Sequence, residues 1–153
     1  MTQPDKPRVL VDADVLFAGA ASPTTHGASL VVLRMAEITL IDAIAPRQAV
    51  TEAERNLSAK LPDALSAFRL LVDRCLRVVP DPTLVDLEPH TDLAEPEDLP
   101  ILVTALREGC PWLVTFNVRD FQPGHPEVTV LRPGAFLEHV RGLLTHLAAT
   151  SET

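Results

Sequence analysis

The sequence predicts an α/β domain built on a parallel sheet. Three observations predict it. Strand-length apolar runs without internal turn residues occur at residues 8–16 (RVLVDADVL), 39–44 and 112–116 (WLVTF). Helix-patterned segments alternate with them. The chain is 153 residues long, which fits one domain able to bury about two-thirds of its unfolded surface. Continuous apolar strands are buried on both faces, and strands alternating with helices pack as a parallel sheet.

The elements follow in chain order. Residues 1–7 (MTQPDKP) are polar and proline-rich and read as a flexible N-terminus. The first strand covers 8–16, and 19–27 (GAASPTTHG), rich in small and breaker residues, reads as a loop. A helix is expected over 29–37 and a second strand over 39–44. Pro46 opens a helix to about Lys60, and Pro62 another through about Arg77. Val78 and Val79 form a short strand. Residues 80–97, with four prolines, are irregular. A helix from about Pro96 to Glu108 stops at Gly109. WLVTF and 128–131 (VTVL) are the last strands, and Pro133 opens a closing helix. Its Phe136, Val140, Leu143, Leu144 and Leu147 keep helical spacing. The domain is expected over 8–149, with 150–153 a flexible C-terminus.

Composition excludes several classes. Hydrophobic residues at 46% and charged ones at 22% rule out a largely disordered chain. The net charge of −8 is the wrong sign for coating nucleic acid by bulk electrostatics. It leaves room for an enzyme whose carboxylates hold cations. Cys75 and Cys110, the only cysteines, are too few and too far apart for a zinc ribbon or a stapled secreted fold. Reduced thiols in a cytoplasmic protein are expected. No run approaches the ~20 apolar residues of a membrane span, and Asp12 and Asp14 interrupt what would otherwise resemble a signal peptide. None of the five histidines has a partner at zinc spacing.

The acids fall at one edge. Asp12 sits near the end of the first strand, and Asn117 follows WLVTF with Asp120 three residues on. Ligands of open α/β sheets bind beyond the carboxyl ends of strands. Asp98 opens the helix before WLVTF, with Ile101, Leu102 and Ala105 within about 60° of it at the helical pitch. It is therefore centred on the stripe that faces the sheet, where a carboxylate is costly unless paired or coordinated. Glu52 borders the Ala49, Ala53 and Leu57 face of its helix. Each acid alone has an ordinary explanation: a helix N-terminus, a loop cap, a solvated face. Together they form the oxygen-rich set that Mg²⁺ or Mn²⁺ takes, and such metals activate water in phosphoryl transfer.

These motifs resemble the PIN domain family, the metal-dependent ribonuclease fold of VapC-type toxins, over about Val9 to Leu137. VLVDADVLFAGA resembles its opening strand, with Asp12 as the first acid and Asp14 where Asn is commoner. VTEAERNL resembles its second motif, with Glu52. EDLPILVTALREGCPWLVTFNVRDF resembles the third and fourth, with Asp98, Thr115, Asn117 and Asp120. VTVLRPGAFLEHV resembles the final strand and helix. The resemblance implies a three-layer α/β/α sandwich with a parallel sheet of order 3-2-1-4-5, which would bring Asp12 and Asn117 together. It implies RNA hydrolysis with Mg²⁺ or Mn²⁺, a cognate antitoxin and a homodimer. Asp12, Glu52, Asp98, Asn117 and Asp120 would hold metal, with Thr115 orienting a carboxylate or water. The departure is Asn117, where many members carry Asp; an amide oxygen ligates Mg²⁺ but adds no charge.

The expected function is therefore a divalent-metal-dependent endoribonuclease, the toxin of a type II toxin–antitoxin pair, with Arg34, Arg47, Arg55 and Arg119 as candidate phosphate contacts. Two alternatives stay open. One is a catalytically silent PIN-like module that binds a protein partner. The other is a haloacid-dehalogenase-type phosphatase, suggested by Asp12-x-Asp14. That class needs a lysine beyond the opening and an acidic motif late in the chain, whereas Lys60 is the last lysine here and Glu97 and Asp98 precede Thr115.

Overall fold

The computed structural model describes residues 6–21 and 27–151. Five parallel strands, β1 (Arg8–Val11), β2 (Asp42–Pro46), β3 (Leu76–Val79), β4 (Trp112–Val114) and β5 (Thr129–Leu131), form one sheet of order β3-β2-β1-β4-β5. The helices are α1 (Ala13–Ala21), α2 (Ala28–Glu37), α3 (Arg47–Lys60), α4 (Leu65–Cys75), α5 (Leu84–Leu87), α6 (Leu99–Arg107) and α7 (Pro133–Ser151). Right-handed crossovers explain the layers. The path from β1 to β2 to β3 carries α1 to α4 on one face. The path then reverses across the sheet to β4, so α5 and α6 lie on the other face, with α6 against β1, β2 and β4. α7 returns to pack on α2, anchored by Trp112 near Phe136 and His139.

The core strands are continuous and apolar for the reason expected: Val9, Leu10, Val11, Ile44, Leu113 and Val114 are fully buried between the two helical layers. The sandwich and its strand order agree with the expectation.

Several boundaries differ, each for a visible reason. The first strand ends at Val11, and residues 13–21 are helical rather than extended. The Asp12 carbonyl accepts hydrogen bonds from Val15 and Leu16, and its carboxylate accepts one from the Ala13 amide, so the chain turns into α1 at once. Gly19 to Ala21, expected in a loop, finish that helix. A Cβ on Gly19 would stand 2.6 Å from a Leu33 methyl, so the glycine lets α1 and α2 approach closely. The rest of the expected loop, residues 22–26, lies outside the described residues. The second strand starts at Asp42 because Ile38, Thr39 and Leu40 still donate back to the α2 carbonyls. The Pro-rich segment after β3 holds α5, capped reciprocally by Thr83 and Asp86. Gly109, at φ +68°, ends the α6 segment as expected, with Cys110 N–H on the Ala105 carbonyl.

The closing helix departs most. Phe136 is buried, but Leu143, Leu144 and Leu147, spaced as core residues, are exposed, Leu144 by 63%. Among the described residues no helix is long and apolar enough to cross a membrane. Both cysteines are buried free thiols.

The entry to α3 is held from outside. Pro46 at its N-cap offers no side-chain acceptor, and Asp81, from the loop after β3, accepts the Gln48 amide at 2.7 Å instead. Asp81→Ala is expected to lower stability by about 1 kcal/mol, read as a lower urea midpoint; an unchanged midpoint would mean the bond contributes nothing.

Candidate functional site

The reversal of strand order between β1 and β4 opens a crevice at their carboxyl ends, the place where such sheets bind ligands. Register fills it. Val11 pairs with Val114, so the next residues, Asp12 and Thr115, stand side by side, and the Asp12 amide donates to the Val114 carbonyl at 3.1 Å.

Hydrogen bonds tie this pair into a compact network. Thr115 Oγ1 lies 2.9 Å from Asp12 Oδ2 and 3.3 Å from Asp14 Oδ2. Its one proton serves one carboxylate at a time. The Asn117 amide donates to Thr115 Oγ1 at 3.0 Å. Asp14 Oδ2 also accepts the Phe116 amide at 3.0 Å and Asn117 Nδ2 at 3.1 Å. That capture of Phe116 N–H explains why β4 ends at Val114 rather than running through Phe116. Asp14 is thus the hub, although its place in the sequence reads only as a variant of a commoner Asn. The signal available was the Asp-x-Asp spacing: the first turn of a helix starting at Asp12 returns the second acid to the strand end. Asp14 Oδ1 is buried and has no hydrogen-bond partner among the described residues.

Electrostatics set the remaining acids. Asp12 is only 6% exposed. Burial pushes its carboxyl up to about 7, the Asp14 charge adds to this, and the Thr115 and Ala13 hydrogen bonds partly offset it. Burial also raises Asp14, against the pull of its Phe116 and Thr115 hydrogen bonds. Asp98, half-buried at the N-cap of α6, makes no capping bond. Burial, then the charges of Asp120, Glu52, Glu97 and Asp14, raise it to about 6. Asp98 thus stands at the positive helix N-terminus, its ordinary explanation, without a capping hydrogen bond, while Ile101, Leu102 and Ala105 are buried as its stripe predicts.

The structure brings the expected residues together unevenly. Asp12, Thr115 and Asn117 join directly through Asp14. Asp98 and Asp120 sit within electrostatic reach of each other and Asp98 of Asp14. Asp120 lies half-buried in the 3-10 turn over Val118–Phe121, whose position is fixed by the Glu95 amide on the Asp120 carbonyl. Glu52 is exposed and reaches the others only through its charge. It lines a groove with Gln48, Thr51, Arg55, Asn56 and Asp81.

Of the arginines, Arg47 opens α3 at this edge, Arg55 lines the Glu52 groove, and Arg119 lines a larger cleft beside Asn117. Arg34 does not belong with them. It sits in the last turn of α2, which leads to the opposite, amino-terminal end of β2, and it pairs with Glu37 at 2.8 Å.

The donor set fits a hard divalent cation in two respects: its oxygens are carboxylates that raise one another's pKa, and one of them, Asp14 Oδ1, is buried with nothing to bond. Convergence is incomplete. Among the described residues no three His, Cys, Asp or Glu side chains gather closely enough to form a metal-holding group.

Comparisons with known proteins follow the same lines. No curated protein matches the chain significantly. Among the solved structures that share the fold are the following three. A VapBC2 complex from Rickettsia felis, bound to a DNA fragment from its promoter, aligns at TM-score 0.58 and 16% identity, over 80% of this chain and 96% of that one. VapC20 of Mycobacterium tuberculosis, described as a sarcin–ricin loop cleaving toxin, aligns at 0.50 and 16%, over 69% and 86%. PAE2754 from Pyrobaculum aerophilum aligns at 0.56 and 23%, over 94% and 96%. The family model for the PIN domain matches residues 8–119, from β1 through the turn that carries Asn117 and Arg119. The chain belongs to the PIN domain family.

Proposed function

We propose that the protein is a divalent-metal-dependent endoribonuclease and the toxin of a toxin–antitoxin pair. The observation that carries this reading is the Asp12–Thr115–Asp14 network at the strand-order reversal, facing Asp98. One buried and two half-buried carboxylates with raised pKa values, and an unbonded oxygen, form a site short of positive charge.

Asp12, Asp14 and Asp98 are the residues that would hold Mg²⁺ or Mn²⁺, with Glu52, Asn117 and Asp120 at the periphery. Water and phosphate oxygens fill the positions that the protein leaves open. A bound divalent cation supplies two things there, a lowered pKa for water and neutralisation of the charge that develops on phosphate. The protein's own residues do the rest. Thr115 fixes the Asp12 and Asp14 carboxylates relative to each other. Asn117 orients Asp14 through its amide. Arg47 and Arg55 on one flank, and Arg119 on the other, attract the phosphates of the strand to be cut. The toxin neighbours, one described by the RNA loop it cleaves and one as a VapBC pair, support RNA as substrate and an antitoxin as partner. The exposed Leu143, Leu144 and Leu147 give that antitoxin, or a second copy of the chain, apolar surface to cover. The cytoplasm is the compartment such a pair requires.

A second reading, a silent module that binds a partner, is favoured by the incomplete convergence of the acids. One experiment separates the two: a labelled pool of structured RNAs incubated with Mn²⁺, Mg²⁺ or EDTA, beside Asp98→Asn. Cutting by the wild type that needs metal, and falls by at least about a hundredfold in the variant, supports the nuclease. No cutting, together with no stabilisation by Mn²⁺ in thermal melts, supports the silent module.

A further inference from the structure

A cleft of about 710 Å³ opens on the β5 side of the acids. It shares Asn117 and Asp120 with them, and its lining also includes Phe116, Arg119, Leu131 and Arg132. Its volume is within the usual range of about 300–1,000 Å³ for small-molecule sites.

Two features of this wall bear on what it could hold. The first is an exposed ring. Phe68, Phe121 and Phe136 are buried, whereas Phe116 is 38% exposed. Its backbone is nonetheless fixed at both ends, by its amide on Asp14 Oδ2 at 3.0 Å and by Arg132 Nη2 on its carbonyl at 3.3 Å. The second is unspent positive charge. Arg34, Arg69, Arg77 and Arg107 each pair with a carboxylate. Arg119 and Arg132, like Arg47 and Arg55 on the other flank, pair with no carboxylate among the described residues, in a chain of net charge −8. A half-exposed phenylalanine on a fixed stretch of backbone, in one cleft with two arginines, suits a ligand that is both flat and anionic.

We propose that this cleft is the subsite for one unpaired nucleotide of the RNA. The Phe116 ring stacks on its base, and Arg119 and Arg132 hold the phosphate next to the one that is cut. The proposal rests on the ribonuclease reading and adds to it the residues that receive the nucleotide beside the cut. A base can stack on a side chain only when it has left its own stack, so the preferred RNA presents a loop, bulge or single strand at the cut. The planar guanidinium groups match phosphate oxygens in pairs. The acids alongside repel the backbone elsewhere, which confines the strand to its basic flanks.

The test measures binding separately from cutting. A hairpin RNA carrying 2-aminopurine in its loop, and a fully paired duplex of the same length, are titrated with protein in EDTA at low salt. The wild type is expected to prefer the hairpin and to quench the probe. Phe116→Ala is expected to weaken hairpin binding about tenfold without changing duplex binding, and Phe116→Trp to restore it. Arg132→Ala is expected to weaken both and to reduce the salt slope of binding by about one. Hairpin binding by Phe116→Ala equal to wild type, or no wild-type preference for the hairpin, overturns the subsite. If the preference and its loss on Phe116→Ala are both seen, but wild-type protein cuts no RNA with Mn²⁺, the subsite stands and the nuclease reading falls.

Discussion

Asp12→Asn is expected to abolish RNA cleavage and, at the same time, to make the metal-free protein more stable at neutral pH. The Asp12 carboxyl rises from 3.8 to about 7 on folding. The folded state therefore holds this proton more tightly than the unfolded chain does, and folding loses stability as pH climbs between those values. A shift of roughly three units corresponds to about 4 kcal/mol, an upper figure for the penalty carried above pH 7. Asn resembles the protonated carboxyl. Its oxygen can keep the Ala13 amide bond, and its NH₂ can donate to Thr115 Oγ1, leaving the Thr115 proton for Asp14. In EDTA, melting curves at about pH 8 should favour the variant, and the gap should close as pH falls below about 4, where both the folded and the unfolded carboxyl become protonated. Added Mn²⁺ should then stabilise wild type and not the variant. A variant that is less stable than wild type at pH 8 would mean that the burial of Asp12 carries no electrostatic cost.

Exchanging Asp14 and Asn117 should separate the effect of charge from that of position. Asn117 Nδ2 donates to Asp14 Oδ2 at 3.1 Å, so carboxylate and amide face each other, the reverse of the Asn and Asp commoner in the resembling family. Asp14→Asn removes the hub carboxylate and is expected to lower kcat/KM by about a hundredfold or more. Asn117→Asp sets a new charge against Asp14, and is expected to lower the melting temperature in EDTA by a few degrees. The double variant restores one carboxylate and one amide. It is expected to recover activity to within about tenfold of wild type, a coupling that a double-mutant cycle measures directly. Activity in the double variant no better than in Asp14→Asn would mean that the carboxylate must come from the α1 side.

The sequence carried the sheet better than its edges. Strands β1, β2 and β4 were legible because a strand buried on both faces must be apolar throughout, and the strand order was legible only through the resemblance to the PIN domain family. α1 was not legible. RVLVDADVL is apolar whether its second half is strand or helix, and only the hydrogen bonds to the Asp12 carbonyl decide. In the closing helix, spacing correctly put Leu143, Leu144 and Leu147 on one side, but spacing says nothing of what covers that side. Asp12, Asp98 and Asn117 can be placed at one edge from the sequence because strand ends and helix starts share it, whereas Thr115 enters only with the family resemblance. The role of Asp14 was hidden because it depends on which oxygen is buried and which amides reach it. Arg34 was misplaced because closeness in sequence does not tell the two edges of a sheet apart.

One feature bears on how the protein comes to exist in a cell. Asp12 and Thr115, 103 residues apart, meet only because β1 is the middle strand and β4 docks beside it late in the chain. During synthesis the first strand leaves the ribosome long before its partner is translated. The nascent chain can pair β1 with β2 and fold α1 to α4 against them, yet it has no Thr115, no Asn117 and only a solvated edge where the crevice will form. The crevice with its carboxylates is therefore completed only when β4 has docked, among the last steps of folding on the ribosome.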